Sequence, residues 1–311
     1  MTPRNCLYYL RYTLRRDLDL LIGTLYFCED LILNRTLFTL AVLVTATLMP
    51  IYAHAWGREG HRLTALVAQD HLTPTAAENV KWLLGKESMA DVAPWADEYK
   101  QDHRESASWH FVSVPGVADS YDRMRDCPAP NNNPTTRVRD CVIDRILYFE
   151  DVLKYPAVEQ TQKTFALKML IHLMGDLQQP FHNISEGRGG NEVPVIEFGA
   201  TSCEGRPCNL HSTWDDGLIN HRNLNENKYV ALLEQEATAN DWQKKAAIGT
   251  VEDWSNAGHH YAQNAWVAPG TIIGKDYFNK WIPVVDQQLA LGGLRLADAL
   301  NEIFTTSPST K

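Results

Sequence analysis

Five residues between positions 170 and 216 carry the chemistry of this chain. His172 and Asp176 lie four apart, His182 follows just past Pro180, and His211 and Asp215 repeat the four-residue spacing. On a helix, positions i and i+4 project from one face a turn apart, so each pair can aim an imidazole and a carboxylate at the same point. A lone His–Asp pair at that spacing is ordinarily a surface hydrogen bond. His172, however, stands inside the apolar run Met169, Leu170, Ile171, Leu173 and Met174, where an unpaired ring and carboxylate are costly to bury. A cation held by both groups removes that cost. Two such pairs with a histidine between them predict a metal site.

The elements that must position these residues are mostly helical. Leu63, Leu66, Val67 and Leu72 mark a first amphipathic helix. A second runs from Ala76 to Leu84, with Thr73 as N-cap, Pro74 at the first helical position and Gly85 as the stop. Further helices are expected over about Val138 to Leu153, Thr164 to Leu177, Tyr229 to Glu236, Val251 to Trp266 and Tyr277 to Phe304. The last is expected to break at Pro283 and at Gly292-Gly293. Glu192 to Phe198, bounded by Gly189-Gly190 and Gly199, suggests a small hairpin beside the site. The expected fold class is all-α with a minor β-hairpin.

The 311 residues are 44% hydrophobic, enough for a sizeable core, and the formal net charge of −9 argues against a protein that grips polyanions through a broad basic face. Asn34 and Arg35 lead into an apolar run from Leu37 to Leu48, and Ala53-His54-Ala55 supplies the small residues a signal peptidase reads. About 12 apolar residues are too few to span a bilayer comfortably. The expected organisation is a preface at 1–33, which an over-extended start would explain, a signal peptide at 34–55, and one catalytic domain at 56–311. Cleavage between Ala55 and Trp56 would make the protein secreted or periplasmic. Cys6 and Cys28 fall in the preface, leaving Cys127, Cys141, Cys203 and Cys208. Four cysteines in an exported chain imply disulfides with three possible connectivities, of which local pairing is the simplest. None sits at zinc-finger spacing.

Three more candidates lie outside the central stretch: His61, Asp97 in Trp95-Ala96-Asp97-Glu98-Tyr99-Lys100, and His110 in Trp109-His110-Phe111-Val112-Ser113. Together with Trp56-Gly57, Gly60-His61, Gly175-Asp176, Gln179-Pro180-Phe181-His182, Gly189-Gly190-Asn191, Asn209-Leu210-His211, Trp214-Asp215 and Gly292-Gly293, they carry a resemblance over essentially the whole segment from Trp56. The chain resembles the zinc-dependent single-strand nucleases of fungi, plants and some bacteria, the type I family founded on nucleases S-one and P-one. That resemblance implies a phospholipase C/P-one nuclease-like helical fold and three zinc ions. Asp97, His110, His172 and Asp176 would hold the first. Asp176 would bridge to a second, held also by His61 and by the amino group and carbonyl oxygen of Trp56. His182, His211 and Asp215 would hold the third.

Three zinc ions and three ligand carboxylates leave a site near +3 inside an acidic molecule, which can attract phosphate while the rest of the surface does not. The resemblance further implies hydrolysis of single-stranded DNA and RNA to 5′-mononucleotides, with 3′-nucleotidase activity, by a monomer without a stable protein partner. A water shared by the close zinc pair would be the nucleophile, with Asp97 and Asp176 as catalytic ligands. Lys100 would steady charge on the phosphate oxygens, and Phe111 would stack on an unpaired base. Ser113 stands where the fungal members carry an Asp that bonds the base edge, so their base preference does not transfer. Two other functions compete. A zinc phospholipase C shares the fold, the Trp N-terminus and the H-x-x-x-D spacing, but its last pair resembles H-x-x-x-E, whereas His211 is followed by Asp215. A non-catalytic zinc-binding protein would need neither open coordination positions nor an aromatic such as Phe111 beside them.

Overall fold

The computed structural model describes residues 56–133 and 135–306. The preface, the signal segment, Cys6 and Cys28 lie outside them. Eight α-helices of eight residues or more organise these residues: α1 (Arg58–Asp70), α2 (Pro74–Leu84), α3 (Trp95–Asp102), α4 (Val142–Lys154), α5 (Gln160–Gln178), α6 (Glu226–Ala239), α7 (Val251–Ala265) and α8 (Lys275–Ile303). The fold is all-α with minor β, as expected.

Local chemistry explains the first hairpin. The Thr73 hydroxyl accepts from the Ala76 N–H at 3.2 Å, Pro74 opens α2, and Gly85 takes a φ of 68° that a side chain would resist. α5 differs in kind. From Ala166 to Gln178 it is buried on nearly every side, Lys168 apart, which marks it as the central helix of the core rather than an amphipathic surface one. α4 packs on it with Phe149 against Phe165, α1 meets it where His61 lies beside Gly175, and α8 where Gly292 lies against Gln178.

α8 is continuous, contrary to the expected breaks at Pro283 and Gly292-Gly293. The glycines serve a close crossing with α1: a Cβ on Gly293 would lie 2.6 Å from Val67 Cβ and 2.7 Å from the Thr64 carbonyl. Helix-breaking propensity of about 1 kcal/mol per glycine is outweighed by that packing. Gly293→Ala should therefore lower stability by about 1–3 kcal/mol through overpacking. Thermal melting checks this, and an unchanged melting temperature would contradict the close crossing.

The β structure also differs from the expected hairpin over Glu192 to Phe198. β1 (Ile196–Glu197) pairs in parallel with the distant β4 (Ile272–Ile273), and the antiparallel hairpin falls later, between β2 (Ser202–Cys203) and β3 (Arg206–Pro207). The Cys203–Cys208 disulfide closes that hairpin and Cys127–Cys141 closes the Pro/Asn-rich loop before α4. Both are the local pairings. The Asn183-Ile184-Ser185 sequon is not open to modification in the folded chain, because Asn183 is fully buried and its Nδ2 donates to the Leu177 and Gln179 carbonyls.

Candidate metal centre

Six elements bring the predicted donors together. α1 carries His61, α3 carries Asp97 and Lys100, and a 3-10 turn (Arg104–His110) ends on His110. α5 carries His172 and Asp176, the turn Pro180–Asn183 carries His182, and a short segment from Leu210 to Gly217 carries His211 and Asp215. All eight His and Asp side chains, and Lys100, are buried. Asn209 starts the last segment as an N-cap, its Oδ1 accepting from the Ser212 N–H at 2.9 Å. The chain then widens into a π-helical turn, Thr213–Gly217, which still leaves His211 Nε2 3.3 Å from Asp215 Oδ2.

Asp176 stands at the middle and divides its oxygens. Oδ2 lies 2.9 Å from His110 Nδ1 and 3.2 Å from His172 Nε2, whereas Oδ1 lies 3.4 Å from His61 Nε2 and 3.7 Å from His182 Nδ1. Asp97 Oδ1 faces the same rings, 3.7 Å from His172 Nε2 and 3.9 Å from His110 Nδ1. Three His/Asp groups result whose donor atoms lie within 4.8 Å of one another: His61, Asp97 and His172; His110, His172 and Asp176; His182, His211 and Asp215. A fourth grouping, of Cys127, Cys141 and Asp144, offers no thiolate, since its sulfurs are bonded to each other.

The donor chemistry fits metal ions. Both nitrogens of His61, His110 Nε2 and Asp176 Oδ1 are buried with no hydrogen-bond partner, a state that costs several kcal/mol unless something else satisfies them. The tautomers are set by the backbone. His172 Nδ1 donates to Ala93 O at 2.7 Å, His182 Nδ1 to His110 O at 2.7 Å and His211 Nδ1 to Gly189 O at 2.6 Å. Each leaves the Nε2 lone pair facing the centre, the arrangement by which proteins orient metal-binding imidazoles. Burial, with Lys100 nearby, pushes His110 down to about 4, and burial pushes His182 down to about 3 despite Asp176. Both rings are thus neutral donors near neutral pH. Burial works against the charge of Asp97 and Asp176, but the surrounding histidines, and for Asp97 also Lys100, keep both carboxyls well below the usual range.

Glycines allow the close approach. A Cβ on Gly175 would meet His61 Nδ1 at 2.9 Å, and one on Gly189, where φ is 64°, would meet Phe181 O at 2.5 Å. Trp56, fully buried, lies against Gly60 and Gly175, and the Gly57 N–H donates to Asp215 O at 3.0 Å. The residues next to the donors divide by exposure. Lys100 Nζ is buried and 2.5 Å from Asp97 Oδ1, Phe111 presents 42% of its surface, and Ser113 is half-buried. One residue of the quoted motifs had no role assigned from the sequence: Gln179 donates from Nε2 to Asp215 Oδ1 and accepts the Phe181 N–H on Oε1, each at 2.5 Å, so one amide orients the carboxylate and shapes the turn to His182.

A helical core that converges five buried histidines, three buried aspartates and Lys100 on one centre has the donor set of a metal-dependent hydrolase. The sequence profile described as S1/P1 Nuclease matches residues 56–305, and the chain belongs to that family. It is a hydrolase of phosphoric ester bonds. Among its relatives, Endonuclease 2 of Arabidopsis thaliana is 30% identical over 298 residues, covering 85% of this chain and 97% of that protein. Nuclease P1 of Penicillium citrinum is 27% identical, covering 80% and 97%, and Nuclease S1 of Aspergillus oryzae 26%, covering 82% and 94%.

Proposed function

We propose that this chain is an exported, zinc-dependent phosphodiesterase that cuts single-stranded DNA and RNA to 5′-mononucleotides and removes 3′-phosphates from nucleotides. The observation that carries this proposal is the division of the Asp176 oxygens, Oδ2 toward His110 and His172 and Oδ1 toward His61. That division suits a carboxylate shared by two ions. Asp97, His110, His172 and Asp176 would hold one zinc. His61, Asp176 and the Trp56 amino and carbonyl groups would hold a second, and His182, His211 and Asp215 a third. Bound there, zinc supplies an acidified water and stabilises charge on phosphate oxygens.

The chain's own residues supply the rest. Lys100, fixed on Asp97, offers a buried ammonium toward the phosphate. Phe111 is exposed one residue from His110 and can stack only on a base freed from its pair. Ser113, two residues on, offers a hydroxyl to the base edge in place of a carboxylate. Two disulfides support an oxidising compartment, in line with export after cleavage at Ala55/Trp56.

The test is to incubate the protein starting at Trp56, with zinc, on single-stranded DNA, duplex DNA and lecithin. Acid-soluble 5′-nucleotide from single strands is expected. Choline phosphate without nucleotide would favour the phospholipase instead. Phe111→Ala should raise KM on single strands about tenfold, within the range for one lost base stack. As an exposed substitution it should change stability by less than about 0.5 kcal/mol. A variant that unfolds in step with its lost activity would make Phe111 a core residue.

A further inference from the structure

We infer that α4 and its flanks form a second binding track for single-stranded polynucleotide, leading away from Phe111 and gripping the strand beyond the cleaved bond. The inference rests on the nuclease function just proposed. α4 starts where the exposed aromatic ends: the Val142 N–H donates to Phe111 O at 3.1 Å. Two hollows of about 710 and 530 Å³ flank its outer face. They share Tyr148, Val152 and Val158, so they are two parts of one groove with Tyr148 in the middle.

The lining suits bases rather than a lipid or a metal. Tyr148 on α4 and Tyr155, the residue just past its end, are 39% and 66% exposed and line the same larger hollow. Tyr148 lies about 9 Å along the helix from Val142 at 1.5 Å per residue, close enough for a strand that leaves Phe111 to reach it. At the near end, the Arg145 guanidinium lies 4.0 Å over the Trp109 ring, and its Nε is buried without a hydrogen-bond partner. Planar cations and aromatic faces are the surfaces on which unpaired bases stack without regard to sequence.

Charge permits this occupant. The groove wall carries Arg123, Arg137, Arg145 and Lys154 against Asp144 and Asp151, in a chain of net −9. Asp144 and Asp140 hold Arg123 and Arg145 at 2.5 Å, and Glu302 approaches Lys154 at 3.3 Å, so the surface is near neutral with fixed guanidinium planes. Stacking therefore dominates, and salt should weaken the grip only slightly. The Cys127–Cys141 disulfide, with Arg139 Nε on Cys127 O at 2.7 Å, holds the loop that presents Arg137. A wall fixed in advance loses little freedom on binding.

The experiment compares a 20-residue oligothymidylate with the dinucleotide TpT as substrates of the zinc-loaded protein and its Tyr148→Ala, Tyr155→Ala and Tyr148→Phe variants. KM for the 20-mer should rise about tenfold in each alanine variant, the size of one lost base stack. The maximal rate and all TpT kinetics should stay unchanged, and Tyr148→Phe should keep the wild-type KM because it keeps the ring. Equal shifts on both substrates, or none, would overturn the track. So would a wild-type dimer in sedimentation that the alanine variants dissociate with KM unaltered, which would make the face a protein interface. A wild type that cleaves neither substrate overturns the nuclease proposal together with the track. One that cleaves both, with variants that fail to separate them, overturns the track alone.

Discussion

Asp176→Asn is expected to remove two zinc ions per chain and to lower activity by more than about 10³, beyond what loss of one stabilising donor usually costs. The expectation follows from where its oxygens point. Oδ2 is within 3.2 Å of nitrogens on His110 and His172, and Oδ1 is 3.4 Å from His61. An amide keeps the shape and one oxygen but loses the charge that draws two cations together. Asp215→Asn should cost one zinc only. Its Oδ1 can still accept from Gln179, which protects the local fold, while Oδ2, 3.3 Å from His211 Nε2, is the atom replaced. Metal content per chain, measured on both purified variants, separates the cases. A loss of one zinc from each would show that Asp176 does not bridge.

The pairing of His172 with Asp176 and of His211 with Asp215 was legible in the sequence because helical spacing is short-range information. His172 and Asp176 face one way on any regular helix, and the apolar run around them announces burial. α2 was legible for the same reason, since Thr73, Pro74 and Gly85 act on their own neighbours. What escaped depends on partners far along the chain. Gln179 orients Asp215, thirty-six residues away, and nothing near it in sequence signals that contact. Ile196 pairs with Ile272, so the segment had a strand's composition without a hairpin's geometry. Gly292-Gly293 are breakers by intrinsic preference, yet the crossing with α1 needs the missing side chains there, and α8 also runs on through Pro283. Local preference failed there because a tertiary contact outweighed it.

One alanine added before Trp56 is expected to cost the protein one zinc and at least about a hundredfold in turnover, a loss on the scale of one removed stabilising donor. The nitrogen of Trp56 is a basic amine only when residue 56 begins the chain. Joined to Ala55 or to any added residue it is a planar amide whose lone pair is delocalised into the carbonyl, and an amide nitrogen is a very poor zinc ligand. The rest of the neighbourhood is already fixed. Trp56 is fully buried against Gly60 and Gly175, and the Gly57 N–H is held by the Asp215 carbonyl at 3.0 Å. His61 lies beside the same Gly175, with both ring nitrogens lacking hydrogen-bond partners. Extension should therefore leave the fold and the His182, His211 and Asp215 group intact while removing a donor from the ion proposed at His61. The comparison is between protein beginning at Trp56 and protein beginning Ala-Trp56, both refolded in excess zinc, with metal content and hydrolysis measured in parallel. Three zinc ions and full activity in the extended form would rule out the N-terminal ligand and, with it, any need for signal cleavage in assembling the site.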